Sequence, residues 1–317
     1  MTGTSGASVR ALGDFAASAA VIAAAGNSHP WLDVVFSEKD EELRARALAQ
    51  AEVIWHGLRP LGPADFDAAP RLRLVQKFGV GVDTIDLAAA RERGIAVANM
   101  PGVNAPAVAE GAVMLILAAI RALPEQDRRT RAGQWMQDIA YLERSREVAG
   151  LTVGLVGYGD IAKRIEQVLV AMHARVLHTS TKPDGSAQWR GFDDLLAESD
   201  VVSLHLPGTP ATRKLFDASA FARMRPGSVL VNTARGSIVD EAALLAALES
   251  GQLAAAGLDV FEQEPVDPQN PLLRLRNVVV TPHLTWLTEQ TNERMLDIAI
   301  ENCRRLRDGE PLANQVI

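Results

Sequence analysis

The sequence predicts an α/β protein made of two doubly wound parallel-sheet domains. Three observations predict it. From Leu151 to His283, short apolar runs alternate with segments of helical period, and such alternation implies a parallel sheet covered on both faces. The first hundred residues repeat the alternation more weakly. A chain of 317 residues, 48% hydrophobic, is too long for one small core and suits two.

The elements follow in order. Residues 1–30 read as helix and loop, with Phe15–Ala25 as an alanine-rich buried helix and no apolar first strand. Leu32–Phe36, Val53–Trp55, Leu74–Gln76 and Ala96–Ala98 read as strands, and Asp40–Gln50 and Ile85–Arg93 as helices. Ala105–Ala122 is apolar on nearly every face, which predicts a helix buried between domains or subunits. Asn104 can cap it, and Pro106 suits a first turn, where its missing N–H would be unpaired anyway. In the second half the strands are Leu151–Val156, Arg175–His178, Val201–His205, Val229–Asn232, Ala255–Asp259 and Val278–Thr281. Helices are expected at Ile161–Met172, Phe192–Glu198 and Asp240–Glu249. In the first of these, Ile161, Ile165, Val168, Leu169 and Met172 share one face.

Composition narrows the function. A formal charge of −7 disfavours a general nucleic-acid binder. Cys303 is the only cysteine, so no disulfide framework exists within the chain, and no metal site is expected. Phe15–Ala25 and Ala105–Ala122 are too short to span a bilayer, so no membrane partner is expected. The start lacks the basic flank and cleavage pattern of a signal peptide, which makes a cytoplasmic location the default. Its Ser/Ala-rich, Arg10-bearing stretch faintly resembles a transit peptide.

After Leu151–Val156 stands Gly157-Tyr158-Gly159-Asp160-Ile161-Ala162, a Gly-x-Gly-x-x-Ala turn between strand and helix. The first glycine permits the tight turn, the second lets backbone approach a pyrophosphate, and the small third residue lets helix and strand pack closely. The following helix offers free N–H groups and a positive dipole end to phosphates. Alone the motif is weak, since an ordinary turn can match it; its strand and helix context points to a dinucleotide. An NAD site usually carries an acidic residue about 20 residues on. Here the second strand ends His178-Thr179-Ser180-Thr181-Lys182, and the next carboxylate is Asp184. Hydroxyls at Ser180 and Thr181 followed by Lys182 suit a 2′-phosphate, so NADP(H) is expected over NAD(H). The competing reading makes Lys182 a solvated loop lysine.

Three polar stretches follow apolar strands: Asn232-Thr233-Ala234-Arg235-Gly236, Asp259-Val260-Phe261-Glu262-Gln263-Glu264-Pro265 and Thr281-Pro282-His283. Carboxyl ends of parallel strands form the ligand crevice of such sheets, so an arginine, a carboxylate and a histidine can converge beside the cofactor. Singly, each has a plain structural reading, and Glu262 competes with Glu264 for the acid role.

The chain resembles the D-isomer-specific 2-hydroxyacid dehydrogenase family, its glyoxylate and hydroxypyruvate reductase members above all. The matching stretches are Phe78-Gly79-Val80-Gly81-Val82-Asp83-Thr84-Ile85-Asp86, Asn99-Met100-Pro101-Gly102-Val103-Asn104 with Val108-Ala109-Glu110, the glycine turn, His205-Leu206-Pro207, the Arg235 loop, the Glu264 loop and Pro282-His283. They cover about residues 73–287 in the expected order.

The resemblance implies a Rossmann-type cofactor domain, residues 103–287, inserted into a flavodoxin-like substrate domain, residues 1–102 and 288–317. Closure about the two crossings would exclude water. It implies that Arg235 binds the substrate carboxylate and polarises the 2-oxo group, that His283 is the acid–base group, and that Glu264 bonds the imidazole and favours its charged form. Backbone around Val80 and Gly81 would hold the carboxylate, with Lys77 nearby. Asp259 would contact the nicotinamide amide, while Thr233, Ala234, His205 and Pro207 would line the cofactor, His205 having no proton role. Trp286, where many members carry a small residue, would either close the pocket or simply pack; Lys77 is balanced against a solvated lysine. His29, His56, His173 and His178 carry no special signal. Trp135 and Met136 suit a core or subunit contact, and a homodimer is implied. The rival reading is a dinucleotide-sensing regulatory protein, disfavoured because Arg235, Glu264 and His283 are all present.

Overall fold

The computed structural model describes residues 8–27, 29–37, 40–135 and 145–317. The chain divides into two compact units, Met1–Asn104 with Leu287–Ile317, and Ala105–Trp286.

The first unit is built on a five-stranded parallel sheet. Its strands are β1 (Val9–Asp14), β2 (Leu32–Phe36), β3 (Val53–His56), β4 (Leu74–Lys77) and β5 (Ala96–Ala98), in the order β2-β1-β3-β4-β5. Helices α1 (Ala19–Asn27), α2 (Glu41–Leu48), α3 (Pro63–Asp67) and α4 (Leu87–Glu92) connect them. Asp40 caps α2 and Asp86 caps α4, each accepting a backbone N–H with its side chain. Leu12, Ile54, Val75 and Val97 lie in the core of one face.

Strand β1 corrects the expectation of helix and loop over residues 1–30. It pairs with both β2 and β3, inside the sheet. Arg10 and Gly13 interrupt its apolar pattern and hid it. Arg10 points to solvent. At Gly13 an added Cβ would lie 2.2 Å from Cδ1 of Phe36, so the ring itself covers the glycine. The expected buried helix at Phe15–Ala25 begins instead at Ala19, and it buries only a narrow stripe at Val21 and Ala25.

At the end of β1 the carboxylate of Asp14 is buried. Arg44 meets it with two bonds of 2.9 Å and reaches Asp65 at 2.8 Å. This charged bridge ties α2 and α3 to β1.

The second unit holds a six-stranded parallel sheet. Its strands are β6 (Thr152–Val156), β7 (Arg175–Thr179), β8 (Val201–Leu204), β9 (Ser228–Asn232), β10 (Leu253–Leu258) and β11 (Val278–Val280), in the order β11-β10-β9-β8-β6-β7. A lone parallel bridge from His178 to Trp189 stands where a further edge strand would lie beyond β7. This is a Rossmann-type arrangement, and the order reverses between β6 and β8, the place where such sheets bind ligands.

Helix α5 (Ala105–Ile120), with Pro106 in its first turn, and α6 (Leu123–Arg131) precede the sheet; α7 (Asp160–Ala171), α8 (Phe192–Glu198), α9 (Ala218–Arg223) and α10 (Glu241–Glu249) lie between its strands. Two cores form, one on each face. Leu115, Ile116, Leu155, Ile165 and Val231 belong to one, and Leu196, Leu204, Leu230, Phe221 and Leu258 to the other. Helix α5 packs on its own unit's sheet, with the side chain of Leu115 against Gly257. The long helix α11 (Glu289–Asp308) returns to the first unit, where Asn302 donates to Gln76 at 2.6 Å. Among the described residues no single helix is long and apolar enough to cross a membrane, although α5 and α6 pass that test jointly across a 64° bend.

The buried Asp14–Arg44 pair yields a prediction. Arg44→Met strands the Asp14 carboxylate and should destabilise the fold by about 3–5 kcal/mol. Urea unfolding that moves by less than about 1 kcal/mol would contradict it.

Candidate active site

The glycine turn lies at the reversal point of the second sheet. Gly157 has φ 93°, a conformation that L side chains rarely adopt, and an added Cβ would lie 2.5 Å from the carbonyl oxygen of His205. The turn is therefore pressed between the ends of β6 and β8. At Gly159, by contrast, an added Cβ would meet nothing within 4 Å. This residue opens α7 with no side-chain cap, which leaves the helix N–H groups to an outside acceptor. Asp160 points outward to Arg164 at 3.3 Å, and Ile161 is half-buried.

The surroundings fit a nicotinamide dinucleotide. Both ring nitrogens of His205 and the Thr233 hydroxyl are buried without a hydrogen-bond partner among the described residues. Burial alone pushes the His205 imidazole down to about 3. A neutral ring with open polar atoms beside a bare glycine turn is suited to a polar ligand. Pro207 is exposed, and its carbonyl accepts the Thr212 hydroxyl at 2.7 Å.

At the end of β7, His178 departs from its reading as a residue without special signal. It is buried and stacks on Tyr158, with ring centroids 3.6 Å apart and planes 7° from parallel. The Tyr158 hydroxyl donates to Glu166, and burial is the largest cause of its rise to about 12. Asp184 approaches His178 Nε2 at 2.7 Å and accepts the Ser186 N–H at 2.9 Å. The bonds from Ser186 and His178 hold this carboxyl down to about 2. Ser180 donates to the Lys182 carbonyl at 2.7 Å, while Thr181 and Lys182 are exposed.

The polar strip is assembled from three loops at the ends of β9, β10 and β11. Asn232 shapes the first, accepting the Ala234 N–H at 3.0 Å and donating to the Arg235 carbonyl at 2.9 Å. Arg235 is half-buried and donates to the Ala234 carbonyl at 2.8 Å. Gly236 then passes so close to the next loop that an added Cβ would lie 1.9 Å from the Phe261 carbonyl carbon. That approach locks the Arg235 loop to the Glu264 loop. Glu264, joined to Pro265 by a cis peptide, accepts the Phe261 N–H at 3.0 Å, and its other oxygen meets His283 Nδ1 at 2.6 Å. Glu262 faces Lys214 at 3.3 Å instead, which leaves Glu264 as the partner of the histidine. Burial raises the Glu264 carboxyl, but the His283 bond, the Phe261 N–H and the charges of His283 and Arg235 outweigh it, so the net shift is downward.

His283 holds φ 55°, a left-handed conformation that costs a non-glycine residue about 1–3 kcal/mol and persists only where neighbours over-determine it. Its N–H donates to the Asp259 carbonyl at 2.8 Å, and its carbonyl accepts Trp286 Nε1 at 2.9 Å. Trp286 thus braces the histidine loop. Asp259, which the resemblance assigns to the nicotinamide amide, has a buried carboxylate that accepts from Thr281, Leu284 and Thr285. The sequence assigns no role to Thr281 or Thr285; short hydroxyl residues flanking a histidine carry no signal until the carboxylate facing them is known.

In the first unit, Lys77 is buried at the end of β4 and donates to the Gly57 carbonyl, which excludes the solvated reading. Val80 and Gly81 lie on the loop beyond, where Val80 is 44% exposed and its carbonyl accepts Asn99 Nδ2 at 2.9 Å. His56 is buried at the end of β3 and pushed down to about 4, first by burial and then by the Lys77 charge. Trp135 is 72% exposed, which excludes a place in the core, and Met136 lies outside the described residues.

Comparison with known proteins agrees with this geometry. The family model for the D-isomer specific 2-hydroxyacid dehydrogenase NAD binding domain matches residues 113–285, more than half of the chain. The chain belongs to the D-isomer specific 2-hydroxyacid dehydrogenase family. It is an oxidoreductase of hydroxyacids that uses a nicotinamide cofactor. A glyoxylate reductase of Korarchaeum cryptofilum is 38% identical over 269 residues, 81% of this chain and 80% of the relative. A D-3-phosphoglycerate dehydrogenase of Archaeoglobus fulgidus is 41% identical over 78% of this chain, and the match spans 48% of that longer relative. The crystal structure of the TT0316 protein of Thermus thermophilus superposes with a TM-score of 0.89 at 33% identity, covering 98% of this chain and all of the other.

The Glu264–His283 contact generates a pH-dependent expectation. A carboxyl whose folded pKa is lowered adds stability that is fully present above its unfolded value, about 4.3, and is lost as pH falls through the folded value. Glu264→Gln should therefore lower the melting temperature near neutral pH, and the gap from the parent should close in acid. A gap of unchanged size throughout would contradict a charged Glu264.

Proposed function

We propose that this enzyme reduces a small 2-oxo acid, glyoxylate or hydroxypyruvate, to the D-2-hydroxy acid and prefers NADPH to NADH. The observation that carries the reading is the 2.6 Å contact between Glu264 and His283, in a loop locked to that of Arg235. The dihydronicotinamide, when bound, supplies the hydride. Arg235 binds the substrate carboxylate and polarises the 2-oxo group. His283 gives the proton to the carbonyl oxygen, and Glu264 stabilises the imidazolium beforehand. Negative charge developing on that oxygen meets Arg235 and the protonated ring.

The NADPH preference rests on the end of β7. Its nearest following carboxylate, Asp184, is drawn to His178 and the Ser186 N–H, while Thr181 and Lys182 face solvent. The choice of acid is supported by the glyoxylate reductase relative and by Trp286 beside His283.

One assay series tests these roles. Reduced-cofactor absorbance should fall fastest with glyoxylate or hydroxypyruvate among a panel of 2-oxo acids, with a higher kcat/KM for NADPH. His283→Ala should lower kcat by roughly a thousandfold while NADPH affinity stays nearly unchanged. A higher kcat/KM with NADH would overturn the cofactor preference, and near-normal kcat in the variant would overturn the role of His283.

We further propose a homodimer. A groove of about 800 Å³ between α5, α6 and α7 is lined by Val113, Met114, Leu117, Leu123 and Val168. Met114 and Leu123 are 51% and 56% exposed there, an apolar surface suited to a second copy. Sedimentation should give a dimer for the parent and a monomer for Met114→Glu; a monomeric parent at micromolar concentration would reject the idea.

A further inference from the structure

Besides the Glu264 contact and the Trp286 bond, the loop that carries His283 is fastened at three points, each on a residue outside the Arg235–Glu264–His283 set. Asp259 supplies two of them. Its backbone carbonyl takes the His283 N–H at 2.8 Å. Its carboxylate takes the Thr281 hydroxyl at 2.6 Å, the Leu284 N–H at 2.9 Å and the Thr285 hydroxyl at 2.6 Å. The Thr285 N–H leans on the same carboxylate at 3.2 Å. One buried side chain thus grips the loop on both sides of a histidine held at φ 55°.

The third fastening is steric. Thr285 packs on α5 at Gly111, where an added Cβ would lie 2.6 Å from Thr285 Cβ and 3.3 Å from its Cα. Glycine is a poor residue within a helix, and here its missing side chain is the seat of Thr285. Neither contacting atom is the far end of a flexible side chain, so a methyl group at this position displaces the loop backbone. Thr285 is therefore held from below by helix packing and from the side by the Asp259 carboxylate.

We propose that Asp259, Thr285 and Gly111 form a positioning clamp that sets where the His283 ring points, with Asp259 acting through the loop. The inference rests on the reading of His283 as the acid–base group. A displacement of about 1 Å at a reacting group can cost as much as a hundredfold in rate, so the clamp should appear in kcat rather than in cofactor affinity.

The test uses Gly111→Ala, Thr285→Val and Thr285→Ser, with His283→Ala alongside. Thr285→Val keeps the shape and loses the hydroxyl; Thr285→Ser keeps the hydroxyl. Gly111→Ala and Thr285→Val should each lower kcat by roughly ten- to a hundredfold, with the NADPH dissociation constant, read by fluorescence, within about threefold of the parent. Thr285→Ser should restore kcat to within about threefold. If Gly111→Ala does not fold, the valine and serine pair decides. Near-parental kcat in Thr285→Val, or equal losses in the valine and serine variants, would overturn the clamp while an inactive His283→Ala left the site reading intact. Weakened NADPH binding in Thr285→Val would overturn it in favour of a cofactor-binding role. An active His283→Ala would remove both the clamp and the site reading.

Discussion

The second unit depends on one constraint: its strands all run the same way, so every strand delivers its following loop to the same edge. Chemistry-bearing residues far apart in sequence therefore meet only if those loops approach at backbone distance. Gly157 lets the cofactor turn touch the end of β8, and Gly236 lets the arginine loop touch Phe261. These contacts are backbone against backbone, with little freedom to relax. The site is consequently as stiff as the sheet beneath it, which is what a reaction needing aligned donor and acceptor atoms requires.

Electrostatics build on that frame. The Glu264 side chain is 33% exposed, and its partial desolvation alone would favour the neutral form. The imidazole of His283, the Phe261 N–H and the charge of Arg235 reverse the balance and keep the carboxylate. The Arg235 guanidinium, the Glu264 carboxylate and the His283 imidazole then share the strip. That arrangement tolerates an anionic substrate, because the carboxylate of Glu264 is already occupied on both oxygens.

Much of this was legible in the sequence, and the limits are physical. Strands buried on both faces read as apolar runs, so each strand of the second sheet was found within a few residues. Ordered motifs located Gly157, Arg235, Glu264 and His283. Strand β1 was missed because Gly13, which looks like a breaker, is covered by the ring of Phe36 contributed from β2. Lys77 looked evenly balanced because period alone cannot tell whether a lysine at a strand end turns inward to Gly57. The resemblance assigns Asp259 to the cofactor, but the bonds of its carboxylate within the histidine loop carry no sequence signal. Its partners, Thr281 and Thr285, become identifiable only once the β10 and β11 loops are side by side.

The end of β7 carries the same lesson for cofactor choice. What matters at the ribose is whether a carboxylate is available there, and sequence distance alone does not settle that. Asp184 follows the strand closely enough to interfere with a 2′-phosphate, yet it is drawn to His178 and Ser186. His178 is fixed in turn by its stack on Tyr158, the middle residue of the glycine turn. The glycine turn therefore also anchors the ring that draws Asp184. The middle of the glycine turn and the end of β7 are thus parts of one packed unit, joined through the Tyr158 and His178 rings.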